Sequence, residues 1–192
     1  MGITSRNIDT NEIVEIITQY LIILGPLIYV IHHFEEHIIF NFREWRLKYF
    51  LDNNSLSTEE VLLRLLALLL VWVFIHSVTN NKASAHVLLF FLMTTQVVNA
   101  FFHIFFSFYF SDFSPGTITG IFLYLPVNYL IFKAALNEGY LNSTKEIAYI
   151  FILGASTFAL FEIIGPTVML VTTFLSIAYY IMISKYNFGS KL

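Results

Sequence analysis

Residues 146–184 read EIAYIFILGASTFALFEIIGPTVMLVTTFLSIAYYIMIS and form an almost unbroken apolar stretch. As one helix this stretch would be about 60 Å long, roughly twice the thickness of the hydrocarbon core of a bilayer. Gly165 and Pro166 lie near its middle, and a Gly-Pro pair interrupts helices. We therefore predict two membrane spans, at about 146–164 and 167–184, with a break at Gly165-Pro166.

The rest of the chain contains four more apolar stretches, each long enough for one crossing. They lie at about 13–40, 58–79, 83–110 and 116–137. The residues before the first stretch lack the basic region and cleavage site of a signal peptide, so we expect that stretch to remain as a span. The predicted fold is all-α, a polytopic transmembrane helical bundle of about six spans that forms a single integral membrane domain over residues 1–192.

The composition excludes a water-soluble fold. Hydrophobic residues make up 57% of the chain and charged residues only 12%, whereas soluble domains carry about 25% charged residues. A net charge of −3 gives no basic surface for nucleic acid, so we expect membrane lipid, and no nucleic acid, as a partner. The chain has no cysteine, so a metal site must use nitrogen and oxygen ligands. The sequence leaves the oligomeric state open.

Three helix starts carry local signals in the sequence. Ser57 with Glu60, and Ser143 with Glu146, have the spacing of a capping box, in which each side chain accepts a hydrogen bond from the other residue's backbone. Pro115 is expected at the first helical position of the fourth span, because proline lacks the N–H that the first turn leaves unpaired.

Polar residues from several helix ends are predicted to meet at one membrane face. Because consecutive spans alternate in direction, the ends of the first, third and fifth spans and the start of the fourth lie on one side, here called side B. The polar cluster expected there contains His32, His33, Glu35, Glu36, His37, Asn99, His103 and Glu162. Two other histidines, His76 and His86, fall on the opposite side A, where we expect them at the membrane–water interface.

The spacing of these polar residues favours a metal site. His32, Glu35 and Glu36 stand at i, i+3 and i+4, so they share one helical face, and Gly25 on that face would allow close contact with the third span. Ionisable side chains at membrane depth usually face the bundle interior and bind an ion or line a polar path. We predict His32, Glu36 and His103 as ligands of a divalent transition metal, zinc or iron. Further candidate ligands are Glu35, His33, His37 and Glu162.

The segments HHFEEH (32–37) and NAFFH (99–103) resemble the HXXEE family of small bacterial and archaeal integral membrane proteins, which is named for the pattern His-x-x-Glu-Glu. The resemblance also takes in Pro115-Gly116, which follows the second segment, and Pro126. It implies a protein of a prokaryotic cell membrane and supports Glu36 and His103 as site residues. It implies no particular reaction.

Other interpretations of the cluster stay open. His33 to His37 also spells H-x-x-E-H, the inverzincin pattern, in which His33 and His37 would bind zinc and Glu36 would activate water. Inverzincins have a soluble peptidase fold that this chain cannot build. The ferritin-type pattern of Glu-x-x-His on two helices is absent as written, which leaves di-iron unsupported by that motif. The cluster could also be a water-facing interfacial patch, and Asn99 with His103 could only join two helices.

We predict a metal-dependent integral membrane enzyme that acts on a lipid or other apolar substrate, with hydrolysis as the expected chemistry. Glu35, Glu36 and Asn99 are the candidate catalytic residues: Glu35 as general base or additional ligand, and Asn99 to bind substrate or orient the site. Isomerisation by the carboxylates without metal is a second possible chemistry. The alternative is a non-enzymatic ion- or proton-coupled carrier or channel that uses the same cluster. Such sites usually lie near the midplane between repeats, and this sequence has no visible repeat. A third hypothesis is a structural subunit that has no catalytic or binding site.

The distribution of basic residues favours cytoplasmic termini by a small margin. Side A has Arg6, Lys82, Lys133, Lys145, Lys185 and Lys191. Side B has Arg43, Arg46, Lys48 and Arg64, three of them in the aromatic segment 41–57, which is typical of an interfacial linker. The chain ends in Ser190-Lys191-Leu192, which matches a peroxisomal address, but a three-residue match is weak evidence.

Because the chain has no cysteine, single substitutions can test this orientation by labelling. In intact cells, a membrane-impermeant maleimide should modify the Ser55→Cys variant and should leave the Ser190→Cys variant unmodified until the membrane is opened. Labelling of Ser190→Cys in intact cells would show that the orientation is inverted.

Overall fold

The structure, a computed structural model, describes residues 10–52 and 56–189, and in these residues the chain forms seven helices and no strand. The helices are α1, Thr10–Phe34, extended by a π-helical turn at Glu35–Ile39; α2, Phe42–Tyr49; α3, Thr58–Thr79; α4, Lys82–Tyr109; α5, Thr117–Asn137; α6, Thr144–Ile164; and α7, Thr167–Gly189. Every helix except α2 is long and apolar enough to cross a membrane, and in α1 the apolar segment is Leu21–Ile39. The predicted all-α bundle of six spans is therefore confirmed.

The break between the last two spans also lies where the sequence predicts it. Gly165 ends α6 with φ of +89°, a conformation that favours glycine, and α7 begins two residues later at Thr167. The predictions that rest on Arg6, Ser55 and the C-terminal Ser190-Lys191-Leu192 fall outside the described residues.

The two predicted capping boxes have different outcomes. At the start of α3, Ser57 Oγ accepts a hydrogen bond from the Glu60 backbone N–H, and the Glu60 carboxylate accepts one from the Ser57 N–H, as predicted. At the start of α6 the prediction is wrong, because the Glu146 carboxylate accepts from the backbone and side-chain N–H groups of Asn142. Ser143 therefore precedes the helix without a side-chain cap.

The start of α5 also differs from the prediction, which put Pro115 at the first helical position. The helix begins at Thr117, and Gly116 precedes it with φ of +97°. Backbone N–H groups at this helix start donate hydrogen bonds to the Glu35 carboxylate, which follows α1. A tertiary contact therefore sets this helix start.

Three spans contain a π-helical segment, and each segment lies next to the polar cluster. They are Glu35–Ile39 at the end of α1, Met93–Val98 in α4 and Gly120–Tyr124 in α5. Such segments occur often at functional sites, because the extra residue in the turn changes which side chains face a neighbouring helix. The fold therefore departs from regular α-helix where the sequence places its polar residues.

The helix α4 is the most buried span and lies at the centre of the bundle. It contacts α3, α5, α6 and α7, whereas α1 packs mainly on α3 and α5. The spans α6 and α7 are mostly exposed apolar surface, which is the surface expected to face lipid. The centre of the bundle thus contains buried polar side chains of α4, such as Gln96 and His103, which do not face lipid.

A buried amide network connects α1, α4 and α5. Gln96 Nε2 donates a hydrogen bond to the Gly25 carbonyl oxygen at 2.8 Å, and Asn128 Nδ2 donates to Gln96 Oε1 at 2.8 Å. Gly25 allows this contact, since a Cβ atom there would lie 2.8 Å from a methyl carbon of Leu92. The sequence-based expectation that Gly25 lies against the third span is therefore confirmed.

Replacement of Gln96 by leucine should destabilise the bundle, because it removes both interhelical hydrogen bonds at nearly constant volume. Hydrogen bonds between membrane helices contribute about 0.6–2 kcal/mol, and we expect the Tm in detergent to fall by about 2–8 °C. Ser156→Ala is the control, since this exposed hydroxyl donates only to the Ile152 carbonyl of its own helix. Equal Tm values for the two variants would contradict a stabilising role of the network.

Candidate metal centre

The buried carboxylate of Glu36 lies among four imidazole rings. Its Oε1 atom is 2.8 Å from His103 Nε2 and 3.3 Å from His32 Nε2. Its Oε2 atom contacts His33 Nδ1 and lies 3.5 Å from His37 Nε2. Each carboxylate oxygen therefore faces two histidines, and the polar residues of α1 meet His103 of α4 as the alternation of the spans predicts.

Hydroxyl groups orient the two most deeply buried rings, those of His32 and His103. His32 Nδ1 lies 2.7 Å from Thr119 Oγ1, and His103 Nδ1 lies 2.9 Å from Ser114 Oγ. Both rings are completely buried, and both direct Nε2 toward Glu36. Histidines that bind metals usually have such a partner on the second nitrogen, which fixes the ring and leaves the first nitrogen free to bind.

The Nε2 atoms of His32 and His103 are buried and have no hydrogen-bond partner in the described part of the chain. Although both atoms lie near Glu36 Oε1, the contacts do not have hydrogen-bond geometry. Buried polar atoms rarely remain unpaired, because burial removes their hydrogen bonds to water. The ligand atoms of His32, Glu36 and His103 lie within 4.8 Å of one another, so one cation among them would contact all three.

Glu35 binds the start of α5. Its carboxylate accepts hydrogen bonds from the backbone N–H groups of Gly116 at 3.1 Å, Ile118 at 3.3 Å and Thr119 at 2.7 Å. A carboxylate at this position satisfies N–H groups that the first helical turn leaves unpaired, and it interacts favourably with the helix dipole. Glu35, which the sequence suggested as a general base or additional ligand, is thus directed to the helix start and is outside both groups of potential ligand atoms.

Asn99 and Glu162, the other two predicted site residues, lie beside the histidines of the cluster. Asn99 lines a cavity beside the cluster, and its Oδ1 atom is buried without a hydrogen-bond partner among the described residues. Glu162, a candidate ligand from the sequence, accepts hydrogen bonds from Arg46 Nε at 3.2 Å and Nη2 at 3.0 Å. Glu162 therefore forms an ion pair with Arg46, and both residues line the cavity.

The cavity has a volume of about 180 Å³ and is lined mainly by apolar side chains. Its polar lining residues include His33, Glu36, His37 and Asn99. The walls come from α3, α4, α6 and α7 and include Leu62, Leu65, Phe91, Phe102, Phe158 and Met169. An apolar molecule in this cavity would place one end against the histidines.

The helix α2 adds charged groups to the cavity. Arg46 pairs with Glu162, and Arg43 lies 3.6 Å from Asp52. All four residues line the cavity, and the α2 residue Trp45 packs against Phe110 at the end of α4. The amphipathic α2 is therefore consistent with the interfacial segment predicted for residues 41–57.

Sequence reasoning missed several contacts of the site. The hydroxyls of Ser114 and Thr119 were not predicted as histidine partners, although both residues flank the recognised Pro115-Gly116. Tyr124 was also missed, and its ring stacks on His32 with a centroid distance of 4.1 Å. A signal was present, since polar residues around a helix start that faces a buried cluster are candidates for hydrogen bonds to it.

The histidines of the opposite face differ from the sequence-based expectation. His76 was predicted to be interfacial, but it is buried, and its Nδ1 lies 2.9 Å from Ser84 Oγ. His86 is partly buried, and its ring nitrogens lie within hydrogen-bond distance of the Tyr179 hydroxyl and the Tyr140 carbonyl. Both histidines stand near helix ends as predicted, but they join helices to one another.

The fold and the cluster together define a polytopic helical membrane protein with a buried group of histidines around one carboxylate. The chain belongs to the family described as "protein of unknown function with HXXEE motif", whose sequence profile matches residues 23–131. The resemblance noted from the sequence is therefore confirmed. The matched segment contains the cluster and most of α5, and it ends before α6 and α7. No curated protein and no solved structure matches the chain significantly.

Gly116 should be required by the site as well as by its own backbone. A Cβ atom at Gly116 would lie 2.8 Å from His32 Cε1, 3.0 Å from His103 Nε2 and 3.1 Å from Glu36 Cγ. Gly139 is a matched control, because its φ of +74° is also positive but a Cβ atom there would meet nothing within 4 Å.

We expect Gly139→Ala to lose only the roughly 1–2 kcal/mol of backbone strain, whereas Gly116→Ala should lose more because the cluster must shift. Thermal unfolding of the two variants in detergent measures the difference. Equal decreases in Tm would show that Gly116 is needed for backbone conformation alone.

Proposed function

We propose that this protein is a metal-dependent integral membrane enzyme that hydrolyses a lipid or other apolar substrate. One observation carries the proposal: two buried imidazole nitrogens, His32 Nε2 and His103 Nε2, lack a hydrogen-bond partner among the described residues and face the same oxygen of Glu36. A cation at this point would pair with the carboxylate and satisfy both nitrogens.

The donor set fits a divalent transition metal. Two imidazoles and one carboxylate are the protein ligands of several hydrolytic zinc sites, which keep a fourth position open for water or substrate. Nitrogen and oxygen ligands without thiolate suit zinc or iron. When bound, such an ion supplies Lewis acidity and a nucleophilic hydroxide at neutral pH.

The remaining residues of the site have separate roles in this proposal. Thr119 and Ser114 orient the rings of His32 and His103. Asn99 carries an amide at the cavity, where its N–H groups can hydrogen-bond a substrate oxygen that gains negative charge. Glu35 fixes the start of α5 through three backbone hydrogen bonds, so we assign it a positioning role.

The shape and lining of the cavity support an amphiphilic substrate. Its lining is mainly apolar and includes the polar residues His33, His37 and Asn99 and, from α2, Arg43 and Arg46. A lipid could place its chain along the apolar walls and its polar group at the histidines. We propose that the protein lies in a prokaryotic cell membrane, as its resemblance to the HXXEE proteins implies, and that its termini are cytoplasmic, as the distribution of basic residues favours.

The position of the cluster supports an enzyme over a carrier. A carrier site must be reachable in turn from both faces and usually lies near the midplane. Here Glu36 stands at the end of α1, and the histidines at the opposite face, His76 and His86, are hydrogen-bonded between helices. Flux of ions or protons through liposomes that is lost in Glu36→Gln would favour the carrier.

Metal analysis of detergent-purified protein tests the proposal directly. The native protein should retain at least one equivalent of zinc or iron, and His103→Ala should lose metal at this site. His76→Ala is a matched control, because His76 is also buried and also pairs through Nδ1 with a serine hydroxyl at 2.9 Å. Native protein with no bound metal, before and after incubation with zinc or iron, would overturn the proposal.

Activity can be followed as release of polar products from mixed lipids in detergent micelles. We expect a decrease of at least about 100-fold in Glu36→Gln and His103→Ala, since hydrolysis without the ion loses both Lewis acidity and the nucleophile. Hydrolysis at the native rate in both variants would show that the cluster does not carry the reaction.

A further inference from the structure

We propose that the cluster binds two metal ions bridged by the Glu36 carboxylate, the second ion being held by His33, Glu36 and His37. This inference rests on the proposed function and adds a second ion to the site formed by His32, Glu36 and His103. The ion of that first site is called the inner ion below, and the second is called the outer ion.

The two oxygens of Glu36 face different pairs of histidines. Oε1 faces His32 and His103, whereas Oε2 faces His33 and His37. In each group the ligand atoms lie within 4.8 Å of one another. A carboxylate that offers one oxygen to each group has the arrangement of a bridging ligand.

The helix geometry explains how one glutamate serves both groups. His32 and Glu36 are four residues apart, as are His33 and His37, so the two pairs form adjacent stripes at the end of α1. The rings of His33 and His37 are nearly parallel, with a centroid distance of 5.8 Å and an interplanar angle of 18°. Both rings therefore lie along the same side of the Glu36 carboxylate.

His33 and His37 stand between the Glu36 carboxylate and the cavity. His33 faces Glu36 Oε2 through its Nδ1 atom, and His37 faces the same oxygen through Nε2. The side chains of His33 and His37 are 15% and 19% exposed, and both line the apolar cavity. An outer ion would thus stand between the inner ion and the cavity, where a substrate can reach it.

Paired metal ions suit the proposed hydrolysis. In two-metal hydrolytic sites the ions lie about 3.5–4 Å apart and stabilise both the attacking and the leaving oxygen. Two divalent ions bring four positive charges, and Glu36 is the one carboxylate that both groups share. The pair would therefore require anionic ligands from solvent or substrate, which favours a substrate with an anionic polar group at this end of the cavity.

Metal stoichiometry separates this inference from the proposed function. After incubation with zinc and gel filtration, the native protein should hold two equivalents, His37→Ala and His103→Ala one each, and Glu36→Gln none. The control His76→Ala should hold two. One equivalent in the native protein, unchanged in His37→Ala, would overturn the second ion and leave the proposed function intact. No metal in the native protein would overturn both.

Electron paramagnetic resonance of the manganese-loaded protein tests the bridge directly. Two Mn²⁺ ions that share a carboxylate should give the broadened spectrum of an exchange-coupled pair, and His37→Ala should restore the six-line spectrum of an isolated ion. A six-line spectrum from native protein that holds two equivalents of Mn²⁺ would show that the ions are not bridged.

Discussion

The burial of the Glu36 carboxylate is the constraint on which the rest of the site depends. An ionised group away from water is destabilising by several kcal/mol unless charges or hydrogen-bond donors surround it. The end of α1, the last part of α4 and the start of α5 each bring a polar group to this carboxylate or to a histidine that faces it. The contacts that compensate the charge of Glu36 thus join three spans, α1, α4 and α5, at the same depth.

The two adjacent glutamates of the family motif have different partners. Successive residues of a helix point in different directions, and here Glu35 and Glu36 face different neighbours. Glu35 contacts the backbone at the start of α5, and Glu36 contacts imidazoles from α1 and α4. His32 contacts both the start of α5 and the carboxylate, since its Nδ1 atom faces Thr119 and its Nε2 atom faces Glu36. The motif therefore encodes both a polar cluster and the helix contact that closes it.

Much of the fold could be predicted because apolar length and span alternation are strong physical constraints in a membrane protein. Those two features placed all six spans, and they placed Glu36 and His103 at the same face. Local signals were less reliable where tertiary contacts compete with them. The start of α5 lies past Pro115, and Glu35 binds its first turn. Glu162 was attributed to the cluster from the alternation of the spans, but it pairs with Arg46 of the separate short helix α2. Arg46 and Glu162 are 116 residues apart in the chain, and nothing in the sequence between them indicates that their side chains pair.

The boundaries of the family match separate the cluster from part of the cavity wall. The matched residues 23–131 contain the cluster, whereas Phe158, Phe161 and Met169, which form part of the cavity wall, belong to α6 and α7 outside the match. Mutations in these last two helices can reshape the cavity without touching a histidine or either glutamate. The chain thus carries the cluster and part of the cavity wall in separate segments, so the shape of the cavity and the polar groups that line it can change independently.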